Sequence, residues 1–255
     1  MINFTPFHNF SIGPLRIYVW GLLLAIAFLV GGFLAAKRAK GHGLDSEKVY
    51  NSLIYIIISS IIGARLSYVA AYPYQFSNLI EIFKIWGGGL TFLGGFLGGL
   101  IGFIIYAKIS KIDFWKYADL LAPSLALGIA ITRIGCFIDW HCYGIPTNLP
   151  WGVRVGTALP VHPTQLYHML SDLILFFILI NKNLYKKMFD GKIFALFLIL
   201  YSIFRFFIDF LRAYEYKVIL PISQWTMILV FLIGLGIYFK QSKSLNKQER
   251  EKEAE

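Results

Sequence analysis

Seven long apolar runs dominate this chain and restrict it to a membrane fold. A helix of about 20 consecutive apolar residues crosses the hydrocarbon layer of a bilayer. The chain is 57% hydrophobic and only 15% charged, whereas soluble domains are about 25% charged. The sequence therefore predicts an all-α, polytopic membrane protein with about seven transmembrane helices. The predicted helices cover residues 17–35, 49–71, 90–106, 118–137, 164–180, 193–209 and 219–239.

The basic residues predict how these helices are oriented. Sixteen of the 24 Lys and Arg residues fall in the loops and tail on one side of the predicted helices, and only five fall in the loops on the other side. Cytoplasmic loops of membrane proteins carry such an excess, so we place the N-terminus outside and the C-terminus in the cytoplasm. The net charge of +10 then reflects topology and contact with anionic lipid of the bilayer, and we expect no binding to nucleic acid.

The rest of the chain is organised around the helices. Residues 1–240 are interpreted as a single transmembrane domain, and residues 241–255 as a charged, frayed cytoplasmic tail. We expect no cleaved signal peptide, because the first apolar run is long and lacks a small-residue cleavage site. The connection at about 138–163 is long, aperiodic and rich in aromatics, Gly and Pro. Loops of that length are usually functional or disordered, and this composition favours an ordered, extracytoplasmic cap.

Glycines cluster around the start of the third predicted helix. Gly94, Gly98 and Gly102 form overlapping G-x-x-x-G pairs, which allow helix backbones to approach closely in lipid. The triple glycine at residues 87–89 comes just before this helix. Irregular backbone at membrane depth is tolerated where it is buried or lines a cavity. The pattern predicts close helix contact after Leu93 and, before it, a broken entry beside a polar pocket.

Three arginines interrupt the apolar runs, Arg65, Arg133 and Arg205. An arginine at the bilayer centre costs about 2.5–3.5 kcal/mol on insertion scales, so each needs a partner. Asp209 lies four residues after Arg205, which puts the two on one helix face and fits a structural ion pair. The alternative is a pocket open to the outer leaflet that holds an anionic phospholipid headgroup, because the planar guanidinium suits bidentate phosphate binding.

Cys136, His141 and Cys142 lie close together near the outer end of the fourth predicted helix. The two cysteines could form a disulfide in an oxidising compartment. A zinc site needs three or four ligands with a supporting shell, and we expect no metal here.

Several motifs occur in order along the chain. They are the Gly-rich stretch at 90–95, Arg133-Ile134-Gly135, Gly144, His162-Pro163-Thr164-Gln165-Leu166-Tyr167, and Tyr201-x-x-Phe204-Arg205-x-x-x-Asp209-x-x-Arg212. Together they resemble one family, the bacterial prolipoprotein diacylglyceryl transferases. The resemblance covers nearly the whole chain, and it depends on the ordered set of motifs, since none is specific alone.

The resemblance implies a reaction and a location. Such enzymes transfer the diacylglyceryl group of phosphatidylglycerol to the lipobox cysteine thiol of preprolipoprotein signal peptides, and glycerol phosphate leaves. The expected location is the bacterial cytoplasmic (inner) membrane, crossed several times, and no cofactor is implied. Two other functions stay open, a non-catalytic phospholipid-binding protein of the same fold and a lipid-donor transferase with a different acceptor.

The resemblance also assigns roles to residues. Arg133 and Arg205 match the family's essential arginines, and we expect both on the phosphate. Tyr201 matches a family tyrosine one turn before Arg205, and Asp209 stands where the family usually has Glu, so both join the expected catalytic set. The expected substrate-binding residues are Arg133, Gly144, Arg65, His162, Gln165 and Arg212.

This chain departs from the family pattern at several positions. Leu93 stands in place of the family's histidine, a natural proton acceptor for the thiol, and leucine cannot accept a proton. His141, which stands in place of a glutamate, is expected to be the base, with Asp139 or Asp209 as its partner. The alternative is that His141 is only an interface residue. The remaining departures are Trp20 for Tyr, Cys136 for Asn and His168 for Glu, and we expect His168 to be a polar contact between helices.

Overall fold

The computed structural model describes residues 1–13, 15–76, 78–84, 88–185, 190–214 and 221–253. Most of these residues are helical, as predicted, and each predicted apolar run overlaps one α-helix. The seven helices within the described ranges are α1 (Val19–Gly41), α2 (Ser46–Ala71), α3 (Phe92–Ile109), α4 (Phe114–Ile138), α5 (Thr164–Leu179), α6 (Lys192–Ile208) and α7 (Ile222–Glu253).

Five of these helices are long and apolar enough to cross a membrane. They are α1, α2, α4, α6 together with the turn that follows it to Leu211, and α7 up to Lys243. The other two, α3 and α5, are apolar but shorter. The chain is therefore a multi-pass membrane protein, whereas a count of seven spans and the orientation of the termini remain predictions.

Four short strands depart from the all-α prediction. β1 (Ile2–Phe4) pairs in parallel with β4 (Val153–Val155), and β2 (Asn9–Ile12) pairs antiparallel with β3 (Leu15–Tyr18). The predicted first helix began at residue 17, but Ile17 and Tyr18 complete β3, and α1 begins at Val19. Each strand has only three or four residues, too few to show an alternating pattern in the sequence.

The C-terminal tail also differs from the expectation. Residues 241–255 were expected to be frayed, but α7 continues as one helix to Glu253. The charged part of this helix is rich in Lys, Glu, Gln and Arg, which are strong helix formers. Residues 254–255 lie outside the described ranges.

The chain divides into two compact units. The first consists of Met1–Leu34 and Ala118–Glu255, and the second of Ala35–Tyr117. In the first unit an apolar core joins the first turns of α4 and α6 to the last turns of α5. This arrangement leaves the late part of α4, the early part of α5 and the late part of α6 for polar side chains. The core residues are Ala122, Ala126, Leu175, Leu179, Ile193 and Phe197.

In the second unit, glycines bring α2 and α3 into close contact. A Cβ added at Gly94 would lie 2.6 Å from Cβ of Ser67, and one added at Gly98 would lie 3.1 Å from Cα of Gly63. Side chains at these positions would force the two backbones apart. The predicted use of these glycines for close helix contact is confirmed.

Candidate active site

A cluster of buried charged residues occupies the polar ends of α4, α5 and α6. Arg133 comes from the last turns of α4, His168 and Asp172 from the first half of α5, and Arg205 and Asp209 from the end of α6. Arg133, His168, Asp172 and Asp209 are each less than a tenth exposed. Such burial of charge in a membrane domain is expensive unless opposite charges compensate, and the cluster contains both signs.

Arg205 and Asp209 form the contacts that their spacing predicted. Nη1 of Arg205 donates a hydrogen bond of 2.6 Å to the Tyr201 hydroxyl, one turn earlier on α6. Nε of Arg205 lies 3.8 Å from Oδ2 of Asp209, so the predicted ion pair is confirmed. The other carboxylate oxygen, Oδ1, lies 3.4 Å from Nε2 of His168. Asp209 therefore connects α6 to α5.

Arg133 faces the same cluster from α4. Its guanidinium interacts electrostatically with His168 and Asp172, and Asp172 also interacts with Arg205. Arg133 additionally contacts the thiol of Cys136, one turn further along α4. The structure thus brings the two arginines that the sequence assigned to phosphate into one group, in which Arg133 is buried and the side chain of Arg205 is 17% exposed.

The cluster contains an unusual number of polar atoms without hydrogen-bond partners. Buried polar groups in proteins are almost always hydrogen-bonded. An accumulation of unpartnered donors and acceptors around two arginines therefore indicates a place where a polar ligand binds. The unpartnered buried atoms here are Oε1 of Gln165, Oδ2 of Asp172, Nε of Arg205, both carboxylate oxygens of Asp209 and Nε of Arg212.

The connection from α4 to α5 is ordered, as its composition predicted. The backbone N–H of Gly144 donates to the carbonyl of His162 at 2.9 Å, and that of His162 donates to Ile145 at 3.1 Å. Ile145 in turn donates to the carbonyl of Leu211, just after α6, at 2.9 Å. These bonds fold the two ends of the loop together and attach them to the end of α6.

Three predicted substrate-binding side chains hold this loop in place. Gln165 donates to the carbonyl of His141 at 2.7 Å, and Nη2 of Arg212 donates to Sγ of Cys142 at 3.2 Å. The ring of His162 hydrogen-bonds the hydroxyl of Tyr167 at 3.2 Å. Both cysteines are free thiols. The loop therefore lies over the helix ends that carry the charged cluster.

Tyr214 extends this network towards α7. The guanidinium of Arg212 lies 5.3 Å from the centre of the Tyr214 ring, and the Tyr214 hydroxyl is 2.7 Å from Oγ of Ser223. Burial raises the pKa of Tyr214 above its ordinary value. The phenol is therefore neutral and serves as a hydrogen-bonding link rather than as a charge.

His141 lies outside the buried cluster, in contact with Asp139. Nδ1 of His141 is 3.0 Å from Oδ2 of Asp139, and the His141 side chain is 62% exposed. The other oxygen of Asp139 contacts the ring of His8 from the N-terminal segment. The sequence left Asp139 and Asp209 open as partners for His141, and the structure shows the pair with Asp139.

Arg65 belongs to the second unit, where its donors bind backbone oxygens. Its guanidinium donates five hydrogen bonds of 2.7–3.2 Å. Gly88 and Gly89 supply two of the acceptors and both have positive φ, whereas Gly87 lies outside the described residues. These bonds explain the burial of Arg65 without a ligand, so its substrate-binding role stays a prediction. The acceptor carbonyls belong to Glu81, Ile82, Lys84, Gly88 and Gly89.

Asp172 and His8 are site residues that the sequence reasoning missed. Asp172 was detectable, because it is a carboxylate within an apolar run, four residues after His168 and so on the same helix face. His8 gave no comparable signal, since its contact with Asp139 joins residues that are 131 positions apart.

The fold and the site together define a multi-pass membrane protein with a buried, arginine-containing site at the ends of three helices. The chain belongs to the prolipoprotein diacylglyceryl transferase family, whose model matches residues 8–240. That match includes all of the candidate site residues and confirms the family resemblance seen in the sequence.

Relatives from several bacteria carry the name phosphatidylglycerol–prolipoprotein diacylglyceryl transferase. One from Finegoldia magna is 35% identical, covering 94% of this chain and 97% of the relative. One from Pasteurella multocida is 34% identical, covering 93% and 84% respectively. One from Clostridioides difficile is 38% identical, covering 80% and 82%.

Proposed function

We propose that this chain transfers the diacylglyceryl group of phosphatidylglycerol to the lipobox cysteine thiol of preprolipoprotein signal peptides. The observation that carries the proposal is the presence of Arg133, which is buried, and Arg205, whose side chain is 17% exposed, among unpartnered polar atoms in a member of this transferase family. Two guanidinium groups match the geometry of a phosphodiester, which is the reacting part of the lipid donor. No cofactor is needed for this reaction.

The arginines act where charge develops. The thiolate sulfur attacks the carbon of the diacylglyceryl group that is bonded to the phosphate oxygen. A C–S bond forms and the bond between that carbon and the phosphate oxygen breaks. The electron pair of that bond goes to the phosphate oxygen, and glycerol phosphate leaves. Because negative charge increases on this oxygen, Arg133 and Arg205 stabilise the transition state more than the ground state. Tyr201, hydrogen-bonded to Arg205, and Asp209, paired with it, orient the second guanidinium.

His141 is proposed to take the proton of the thiol, with Asp139 orienting its ring. Leu93, at the position of the family's histidine, has no acceptor. A base whose ring is held by a carboxylate follows the general pattern of an activated nucleophile and its oriented base. The 62% exposure of the His141 side chain leaves it open to an arriving peptide and allows the proton to pass on to water.

The loop and its attachments are proposed to form the substrate-facing surface. Gln165 attaches the loop to α5, Arg212 attaches it to the segment that follows α6, and Gly144 bonds His162 to close the two ends of the loop. The proposed topology places this loop outside the cytoplasm. It has seven spans of an inner membrane in residues 1–240, with the N-terminus outside and residues 241–255 in the cytoplasm.

Single cysteines introduced at Asn148 and Asn246 test this topology and should be labelled from opposite sides of the membrane. Equal labelling of the two by an impermeant reagent on intact cells would overturn it.

Complementation tests the proposed function directly. Expression of this chain should restore growth and lipoprotein modification in bacteria depleted of their own transferase. The variants Arg133→Ala and Arg205→Ala should fail to do so, while Glu47→Gln, an exposed substitution in the first turn of α2, should succeed. If the wild-type chain reaches the membrane but does not transfer the lipid to a lipobox peptide, the proposal is wrong. Phospholipid binding without transfer would then point to a non-catalytic lipid-binding protein.

A further inference from the structure

The side chain of His8 contacts the site without a part in the proposed reaction. Its backbone is held by contacts that do not involve that side chain. The N–H of Phe7 donates to the carbonyl of Ile138, the last residue of α4, at 3.0 Å. The carbonyl of His8 accepts from the N–H of Val19, the first residue of α1, also at 3.0 Å. Earlier in the same segment, β1 pairs with β4. His8 is therefore fixed between the ends of two helices, and its ring is free to serve another purpose.

Asp139 carries one histidine on each of its carboxylate oxygens. Nδ1 of His8 contacts Oδ1, and Nδ1 of His141 lies 3.0 Å from Oδ2. An ionised carboxylate only accepts hydrogen bonds, so the ring nitrogen that faces it carries the hydrogen. In a neutral imidazole the other nitrogen then has a free lone pair. The pairing with Asp139 therefore leaves Nε2 of His141 as the atom that can accept a proton, as in other bases that a carboxylate orients.

The contact between His8 and Asp139 affects geometry more than stability. The His8 side chain is 59% exposed, and exposed ion pairs contribute little to stability. A carboxylate with a donor on one oxygen only can turn about its Cβ–Cγ bond and take the ring of His141 with it. A second donor on the other oxygen fixes the plane of the carboxylate. Reacting groups depend on this kind of support, because small displacements lower rates strongly.

We propose that His8 is a positioning residue for His141 and acts through Asp139. The inference rests on the proposed function, because His141 is the proposed base. In the proton transfer the S–H bond of the thiol breaks, the proton moves to Nε2 of His141, and the sulfur keeps the electron pair. The resulting imidazolium keeps its Nδ1 hydrogen bond to Asp139, whose other oxygen stays on His8. His8 itself takes no proton from the thiol.

Two substitutions at position 8 separate the hydrogen-bond donor from the ring. His8→Asn places an amide nitrogen close to the position of Nδ1 and should keep most of the transfer to a lipobox peptide. His8→Phe keeps a ring without a donor and should lower kcat by about 10–100-fold. The KM for phosphatidylglycerol should not change, since no hydrogen bond or ion pair within the described residues joins His8 to Arg133 or Arg205. Asn3→Ala, which removes an exposed side chain from β1, is the control and should match the wild type.

The same substitution at position 141 distinguishes a positioning residue from a base. His141→Asn keeps a donor for Asp139 but has no Nε2, so it should lose as much transfer as His141→Ala, about 10²–10⁴-fold. If His8→Asn is as inactive as His141→Asn, His8 is itself a proton acceptor and the positioning role is wrong. Wild-type kcat in His8→Phe would equally overturn the inference. His8→Ala provides the same comparison should the Phe variant not fold.

Nitrogen NMR of the detergent-solubilised protein, with ¹⁵N-labelled histidine, reads the arrangement without turnover. The neutral ring of His141 should carry its hydrogen on Nδ1 in the wild type, and both tautomers should appear in His8→Phe. An unchanged His141 signal in His8→Phe would contradict the proposal. A wild-type protein that reaches the membrane but transfers no lipid overturns the proposed function, and the role of His8 with it. Transfer by the wild type together with full activity in His8→Phe overturns the role of His8 alone.

Discussion

A methyl group at position 144 should separate the connecting loop from the end of α6. A Cβ there would lie 2.5 Å from the carbonyl oxygen of Leu211, 2.7 Å from Cβ of His162 and 2.8 Å from the His162 carbonyl oxygen. Two of these three atoms are backbone and cannot rotate away. The loop must therefore shift, and the bonds from Gly144 to His162 and from Ile145 to Leu211 must lengthen or break.

The size of the effect follows from these contacts. Overpacking in a close contact costs about 1–3 kcal/mol, and each weakened hydrogen bond adds about 0.5–1.5 kcal/mol. With two weakened hydrogen bonds the loss is about 2–6 kcal/mol, which lowers Tm by roughly 4–24 °C in a domain of this size. The effect on transfer should be larger, because a displacement of about 1 Å near reacting groups lowers rates by about 100-fold.

Transfer of a labelled diacylglyceryl group to a lipobox peptide, with thermal unfolding of the same preparation, measures both effects for Gly144→Ala. Gly236→Ala is the matched control, because a Cβ on that α7 glycine meets nothing within 4 Å. A Gly144→Ala protein that loses less than about tenfold in transfer, against the expected 100-fold, and unfolds at the wild-type temperature would refute the reasoning.

Three further predictions address separate parts of the molecule. Arg133→Lys should impair transfer nearly as strongly as Arg133→Ala, because a point charge cannot replace the planar guanidinium; near wild-type transfer by the Lys variant would rule out bidentate binding. His141→Ala should slow transfer by about 10²–10⁴-fold without weakening binding of phosphatidylglycerol, which a lipid titration would show. Asp119→Ala should lower the free energy of unfolding by about 2–4 kcal/mol. The buried Asp119 carboxylate accepts hydrogen bonds from the N–H groups of Gly191 and Phe194, both at 2.8 Å, and both groups would lose their partner. An unchanged unfolding temperature would contradict this prediction.

The helices were predictable from sequence, because each one contains a long apolar run, of the kind that crosses the hydrocarbon layer of a bilayer. The ends of the helices were harder to predict. The first predicted helix stopped at residue 35, but α1 continues to Gly41, through basic residues that are good helix formers. The pairing of Ile2–Phe4 with Val153–Val155 could not be foreseen, since strands so short and so distant in sequence leave no local pattern.

The site shows the same division between what local pattern reveals and what it does not. Arg133 and Arg205 were predictable as site residues, because a charged side chain inside an apolar run is costly in the membrane and usually marks a functional site. The ion pair between Arg205 and Asp209 followed from helical spacing. The sequence could not decide between Asp139 and Asp209 as the partner of His141, because the answer depends on how the loop turns after α4. Trp140 and Cys142 both adopt positive φ in this turn, a conformation that is not predictable from their residue types.

The structure places the proposed base and the arginines proposed to bind phosphate in different surroundings, and this separation has a chemical reason. Arg133 and Arg205 gain strength from burial, because an electrostatic interaction with a developing negative charge is stronger where water is excluded. A base that accepts the thiol proton must instead release it after every turnover, which requires access to water, and the His141 side chain is 62% exposed. A histidine at the position of Leu93 is therefore not the only arrangement that can perform the reaction. In the proposed reaction, an exposed histidine paired with Asp139 and the largely buried arginines Arg133 and Arg205 divide the two tasks between the loop and the helix ends.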